Sequence, residues 1–268
     1  MRGVFRHLFV PALLAAAVLA WWFQVASWKV FIGTLLIIFV AEQIFPARGS
    51  WNYGSGVQAA QRFSRDFFYV MVVTQISTLI IWFVSKTLET LIPSQGVWPA
   101  TSLSVPLAFL VMELCNYLFH RAAHHVPILW RFHATHHVIT ELTGVKSLRT
   151  HPIDNVFFHV VRTVPLMLLG APADDIVSAT YFGAVLGILS HANLDLAPGV
   201  LGWFINFPKF HSVHHALDAR QAQKNFGCHT VLWDRVFRTF DDGSNQPEKL
   251  GVVTESPRSV WRELYDAR

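Results

Sequence analysis

Four long apolar runs, at residues 9–25, 30–45, 67–92 and 103–119, constrain this chain more than any other feature. Each approaches or exceeds the roughly 17–25 residues that a helix needs to cross a bilayer. Only 14% of the chain is charged and 53% is hydrophobic, against about 25% charged in a soluble domain. A soluble globular fold is therefore excluded. The expected fold is all-α and membrane-embedded, with about four transmembrane helices in two hairpins. The first run follows Arg2 and Arg6, as a signal peptide would. Trp21, Trp22 and Phe23 stand where a small-residue cleavage site would lie, so a retained anchor is the better reading.

Lys and Arg in short connections set the orientation. Arg2 and Arg6 precede the first run, and Arg48, Arg62 and Arg65 follow the second. Arg121, Arg131, Lys146 and Arg149 follow the fourth. The connection at 93–101 carries neither Lys nor Arg, and Lys29 is the exception in the first outer turn. Trp28 and Trp98 sit where an interfacial aromatic belt would place them. Both termini are thus expected to be cytoplasmic, in an inner membrane or an endoplasmic reticulum. The net charge of +4 is a matter of topology and gives no reason to expect nucleic acid as a partner. Cys115 and Cys228 are too few and too differently placed for a disulfide or a thiolate metal site.

The second half changes character. Residues 120–150 are polar and rich in histidine, and shorter apolar stretches follow at 156–169 and 176–189. These read as one or two further membrane-embedded helices, and an even number of crossings returns His191 to the side of His120. From 206 onward the chain is polar and reads as a cytosolic helical cap. A single domain over 1–268 is expected, with hairpins in 1–100 and a catalytic region in 101–240.

Three histidine clusters stand out: His120 with His124 in HRAAHH, His133 with His136 and His137 in HATHH, and His211 with His214 and His215 in HSVHH. Positions three or four apart share a helix face, and neutral imidazole suits iron, zinc and copper. Eight histidines exceed the about four to six that one ion takes and suit two ions. His191, opening HANLD, is a further candidate ligand. Asn193, Asp195, His125 and His151 are expected to support the ligands from behind. His159 reads as a core residue, His7 as a solvated flank, and His229 is left open. Glu113 lies seven residues before His120 on the same face. A carboxylate inside an apolar helix is a functional hypothesis by default. Its expected role is to accept the N–H of a ligating histidine, or else to pair with Arg121 or Arg131.

At these residues the chain resembles the fatty acid hydroxylase and sterol desaturase superfamily of membrane di-iron enzymes. The resemblance rests on HRAAH at 120–124, HATHH at 133–137, RTHP at 149–152, HAN at 191–193, HSVHH at 211–215 and NFG…WDRVFRTF at 225–240. The family usually has Gly where this chain has Arg238. The resemblance implies two iron ions held by the eight motif histidines plus His191, with O2 as co-substrate. It also implies a membrane lipid substrate, such as a sterol, sphingolipid or acyl chain, that is hydroxylated or desaturated. Electrons would come from a separate b-type cytochrome, or from a ferredoxin with its reductase. Competing readings are a membrane zinc hydrolase, a b-type haem carrier and a histidine-rich metal transporter. The first lacks an H-E-x-x-H glutamate. The second and third need histidines inside the spans, and these spans are nearly free of them.

Overall fold

The computed structural model describes residues 1–92, 96–99 and 101–253, and the architecture is helical. The turn at 93–101 lies partly outside the described residues, as does the last stretch of the expected domain, 254–268. Among the described residues, pairing of the β type is confined to isolated bridges. Helix α1 (Arg2–Trp22) and α2 (Ser27–Ile44) form the first hairpin. Helices α3 (Val57–Phe68) and α4 (Thr74–Leu91) are one continuous rod, joined by a π-helical turn at Tyr69–Val73.

Among the described residues, four helical stretches are long and apolar enough to cross a membrane: Arg2–Trp22, Ser27–Ile44, Val57–Leu91 and Ala173–Ser190. The count agrees with the sequence, but one member differs. The run at 103–119 forms α5 (Ser104–His125), which is not among the four. It carries Glu113, Asn116, His120 and Arg121 and buries Met112, Glu113, Asn116 and Tyr117. The fourth apolar helix is α8 (Ala173–Ser190). Only 17–22% of the first three stretches is buried inside the protein, against 44% of α8. The N-terminal helices therefore face outward with apolar side chains, while α5 and α8 form the core.

Proline sets where the histidine-bearing helices begin. Pro127 opens α6 (Pro127–His137) directly after Val126 caps α5. A residue before proline is pushed out of the helical region, and proline at a first position needs no N–H partner. Pro152 opens α7 (Pro152–Leu168), and Pro208 opens α9 (Pro208–His214). The cap is less helical than expected: among the described residues beyond α9, only α10 (Ala219–Ala222) and α11 (Leu232–Val236) interrupt loops. Those loops are held by side chains instead. Asp234 accepts from the backbone N–H groups of Phe226 and Gly227, each at 2.8 Å, and from Thr239. Burial raises its pKa to about 6. A Cβ on Gly227 would lie 1.8 Å from the Thr230 carbonyl oxygen, so only glycine fits this turn.

Candidate metal centre

Helix periodicity brings His120 and His124 to one face of α5, and α6 and α9 close over it. The nine candidate histidines fall into two groups of mutually close nitrogens. His120, His124, His133, His137 and His214 form one, and His136, His191, His211 and His215 the other. Each adjacent doublet is split between them. His137 joins the first group and His136 the second, and His214 joins the first and His215 the second. The split follows from geometry: residues four apart nearly coincide around a helix, whereas neighbours diverge by about 100°. His137 and His215 stack across the two groups at 4.4 Å.

In both groups the Nε2 atoms converge. In the first, His120 and His214 are 2.9 Å apart, and His137 is 3.1 Å from both His124 and His133. In the second, His191 is 3.1 Å from His136 and 3.0 Å from His211, and His211 is 3.1 Å from His215. The opposite ring nitrogens of five of the nine are engaged elsewhere. The Nδ1 of His120 donates to the Phe226 carbonyl at 2.6 Å, that of His214 to Lys224 at 2.9 Å, that of His136 to Arg149 at 3.2 Å, and that of His191 to Gly187 at 2.9 Å. His133 Nδ1 meets the Asp154 carboxylate at 3.0 Å.

A carbonyl oxygen only accepts, so each of those Nδ1 atoms carries the proton. Burial pushes the pKa values of His136, His137, His211, His214 and His215 well below 6.5, and that of His191 to about 4. A neutral imidazole protonated at Nδ1 has a bare lone pair at Nε2. The His120–His214 and His136–His191 contacts are then lone pair against lone pair, which no hydrogen bond relieves. A cation relieves both. Ligands about 2.1 Å from a shared ion, at right angles, stand about 3.0 Å apart, which matches the observed separations. The residues fit a metal in each group, and the fixed Nδ1 tautomers are what ligation through Nε2 requires.

The remaining candidates land elsewhere. Glu113 does not touch the nine. It accepts from His229 Nδ1 at 2.6 Å, from the backbone N–H groups of His229 and Thr230, from Thr230 Oγ1 and from Asn116. His229, left open by the sequence, is thus its main partner. Asn193 faces away and bonds Arg48 and Asn52. Asp195 is exposed and pairs with Arg6 at 3.2 Å. Neither supports a histidine, because α8 ends at Ser190 and the chain after His191 turns toward α2. His125 is exposed, its Nδ1 on the Arg121 carbonyl. His151 caps α7, accepting from the Ile153 N–H at 3.1 Å, and His159 bonds Ser85.

Sequence reasoning missed Asp154 and Asn206. Asp154 is 2% exposed in the first turn of α7, where acidic residues are common for helix-dipole reasons. Asn206 reaches His211 Nδ1 at 3.2 Å. The one signal for either was Asp154, a carboxylate at the head of an otherwise apolar stretch.

A model of the fatty acid hydroxylase family matches residues 105–239, half of the chain. Ornithine lipid hydroxylase OlsE of Rhizobium tropici is 30% identical over 234 residues, covering 82% of this chain and 67% of that protein. Alkylglycerol monooxygenase of Caenorhabditis elegans is 26% identical over 154 residues, 57% of this chain and 30% of that protein. The Xenopus tropicalis enzyme of the same name is 31% identical over 147 residues, 55% of this chain and 31% of that protein. The chain thus spans 67% of the first relative but only 30–31% of the two monooxygenases. No solved structure matches it.

Proposed function

The chain belongs to the fatty acid hydroxylase family and is an oxygenase of that family, and on that premise we propose that it hydroxylates a membrane lipid using O2 and two iron ions. His120, His124, His133, His137 and His214 would hold one ion, and His136, His191, His211 and His215 the other. Bound iron supplies the one capacity that no side chain has, an oxidant strong enough for an unactivated C–H bond. Everything else falls to the protein. Asp154 and the carbonyls of Phe226, Lys224, Arg149 and Gly187 fix the histidine tautomers and ring planes. The apolar helices admit a lipid from the side and keep bulk water out. Hydroxylation is preferred over desaturation, and over a sterol substrate, because the relatives named above are called hydroxylase and monooxygenase and carry ornithine lipid or alkylglycerol in their names. Orientation by the positive-inside rule would put both termini and the histidines in the cytoplasm, within reach of a separate electron donor.

The lone-pair opposition at Nε2, with Nδ1 fixed by carbonyls, carries this reading. Metal analysis of the purified protein and lipid mass spectrometry of cells with and without it form the test. About two irons per chain and an O2-dependent gain of one oxygen on a lipid are expected. One zinc per chain, with a reaction that proceeds without O2, is the result against it.

A further inference from the structure

A cavity of about 250 Å³ opens beside both histidine groups. One wall is a single face of α7, which presents Asp154, Phe158 and Arg162 at intervals of four residues. Asp154 meets His133, and the Phe158 ring lies against those of His120 and His133. Arg162 stands eight residues along from Asp154, about 12 Å at 1.5 Å per residue. The cavity therefore runs from the histidines to an arginine.

That arginine is unmatched. Its Nε is enclosed and has no hydrogen-bond partner. Among the described residues no carboxylate pairs with its guanidinium. Glu113 is the carboxylate whose field reaches it, but the two Glu113 oxygens already accept from five donors. The chain thus keeps a cation in an apolar bundle, where an unpaired charge is costly, and sets it in the lining of a cavity without a carboxylate partner. A second polar group at the same cavity is also unsatisfied: Asn116 is 1% exposed, and its Oδ1 has no donor. An unused donor and an unused acceptor, on two side chains that line one cavity, describe the complement of a ligand. It carries an oxyanion for Arg162 and an O–H or N–H for Asn116.

We propose that Arg162, with Asn116 beside it, binds the anionic head of the lipid substrate and so sets which carbon faces the histidines. The shared chemistry is a carboxylate or a phosphate, either of which accepts two parallel N–H bonds from a guanidinium. This rests on the lipid-oxygenase reading and adds the substrate class to it. Arg162 acts as a positioning residue: it touches the head of the lipid, not the bond that reacts.

The test is binding by the purified full chain in a neutral detergent, read by native mass spectrometry. The probes are N-palmitoylglycine, its methyl ester, and dipalmitoyl phosphatidic acid. The ester keeps the chain and the amide and removes only the charge. The wild-type protein should bind at least one of the two anions roughly tenfold or more tighter than the ester. Which anion is preferred identifies carboxylate or phosphate as the source. Arg162→Gln should level the anion against the ester, and Arg162→Lys should restore part of the difference, as a point charge without the fork. Equal binding of all three probes by the wild-type protein overturns the proposal without any variant. So does an anion preference that survives in Arg162→Gln. Because binding is read without turnover, lipid oxidation by a wild-type protein that shows no anion preference removes only the role of Arg162. An intact preference with no oxidation removes the oxygenase reading instead.

Discussion

The two histidine groups draw on the same layer of the protein with opposite shares. Helix α6 gives two histidines to the five-membered group and one to the four-membered group, and α9 with its C-cap residue His215 does the reverse. The supports differ as well. Behind the five-membered group stand an anionic carboxylate, Asp154, and the loop carbonyls of Lys224 and Phe226. Behind the four-membered group stand neutral groups, the carbonyls of Arg149 and Gly187 and the amide of Asn206. Two consequences follow. The groups cannot drift apart, because the peptide bonds at 136–137 and 214–215 tie them. And they should not hold a cation equally well, because one is backed by charge and has one more ligand.

The largest effect should come from cutting one group at a time. His137→Ala removes a member of the five-membered group, and His136→Ala its neighbour in the other. Each variant should keep about one iron rather than two, and each should reduce lipid oxidation to background. Iron content by plasma emission and product by mass spectrometry are the measurements. If either variant kept two irons and its product, the division into two groups would be wrong at that histidine.

Asp154→Asn tests the difference in support. It keeps the shape and removes the charge behind His133. Loss of such a partner typically weakens metal binding by about 10–100-fold, so a chelator titration should become biphasic, with only one ion weakened. Equal weakening of both ions would show that the groups act as one. Much of the site was legible without the structure, because four-residue spacing on a helix is a local rule and all three clusters obey it. What was not legible depends on which helix packs on which. Asp154 is three residues from His151 in sequence, yet its partner is His133, across the α6–α7 contact. Glu113 stood out as a carboxylate in an apolar run, but its partner His229 lies 116 positions away. Asn193 and Asp195 failed for the opposite reason: they are close to His191 in sequence, and the chain turns them away. Apolar content alone put the run at 103–119 among the four most apolar helices, whereas α5 buries Met112, Glu113, Asn116 and Tyr117 and α8 takes the fourth place.

The pH dependence of the metal-free protein offers a smaller effect. Burial depresses the pKa of His191 from 6.5 to about 4, and those of His136, His137, His214 and His215 in the same direction. In the window between these values the unfolded chain binds more protons than the folded one, so stability rises with pH there. The metal-free protein should hold its full stability above about pH 6.5 and lose it progressively toward about pH 4, the value to which His191 is pushed. His191→Gln should flatten part of that slope, as read by thermal melts in detergent across the window. A slope unchanged by this substitution would mean that His191 is not held neutral by its surroundings.

The smallest effect concerns Arg238, where the resemblance noted above leads one to expect glycine. The residue has φ = 61°, in the left-handed region that a side chain enters at a cost of about 1–2 kcal/mol and glycine enters freely. It closes the turn whose neighbours, Asp234 and Thr239, hold the 226–227 segment in place. That segment supplies the Phe226 carbonyl to His120, so the strain sits behind the five-membered group and not the other. Arg238→Gly removes it but also frees the unfolded chain, which offsets part of the gain. The net expectation is a stabilisation of about 0.5–1 kcal/mol, with iron content unchanged and any gain in metal retention confined to one ion. A melting temperature that falls on this substitution would mean that the arginine side chain, not the backbone angle, is what the turn needs.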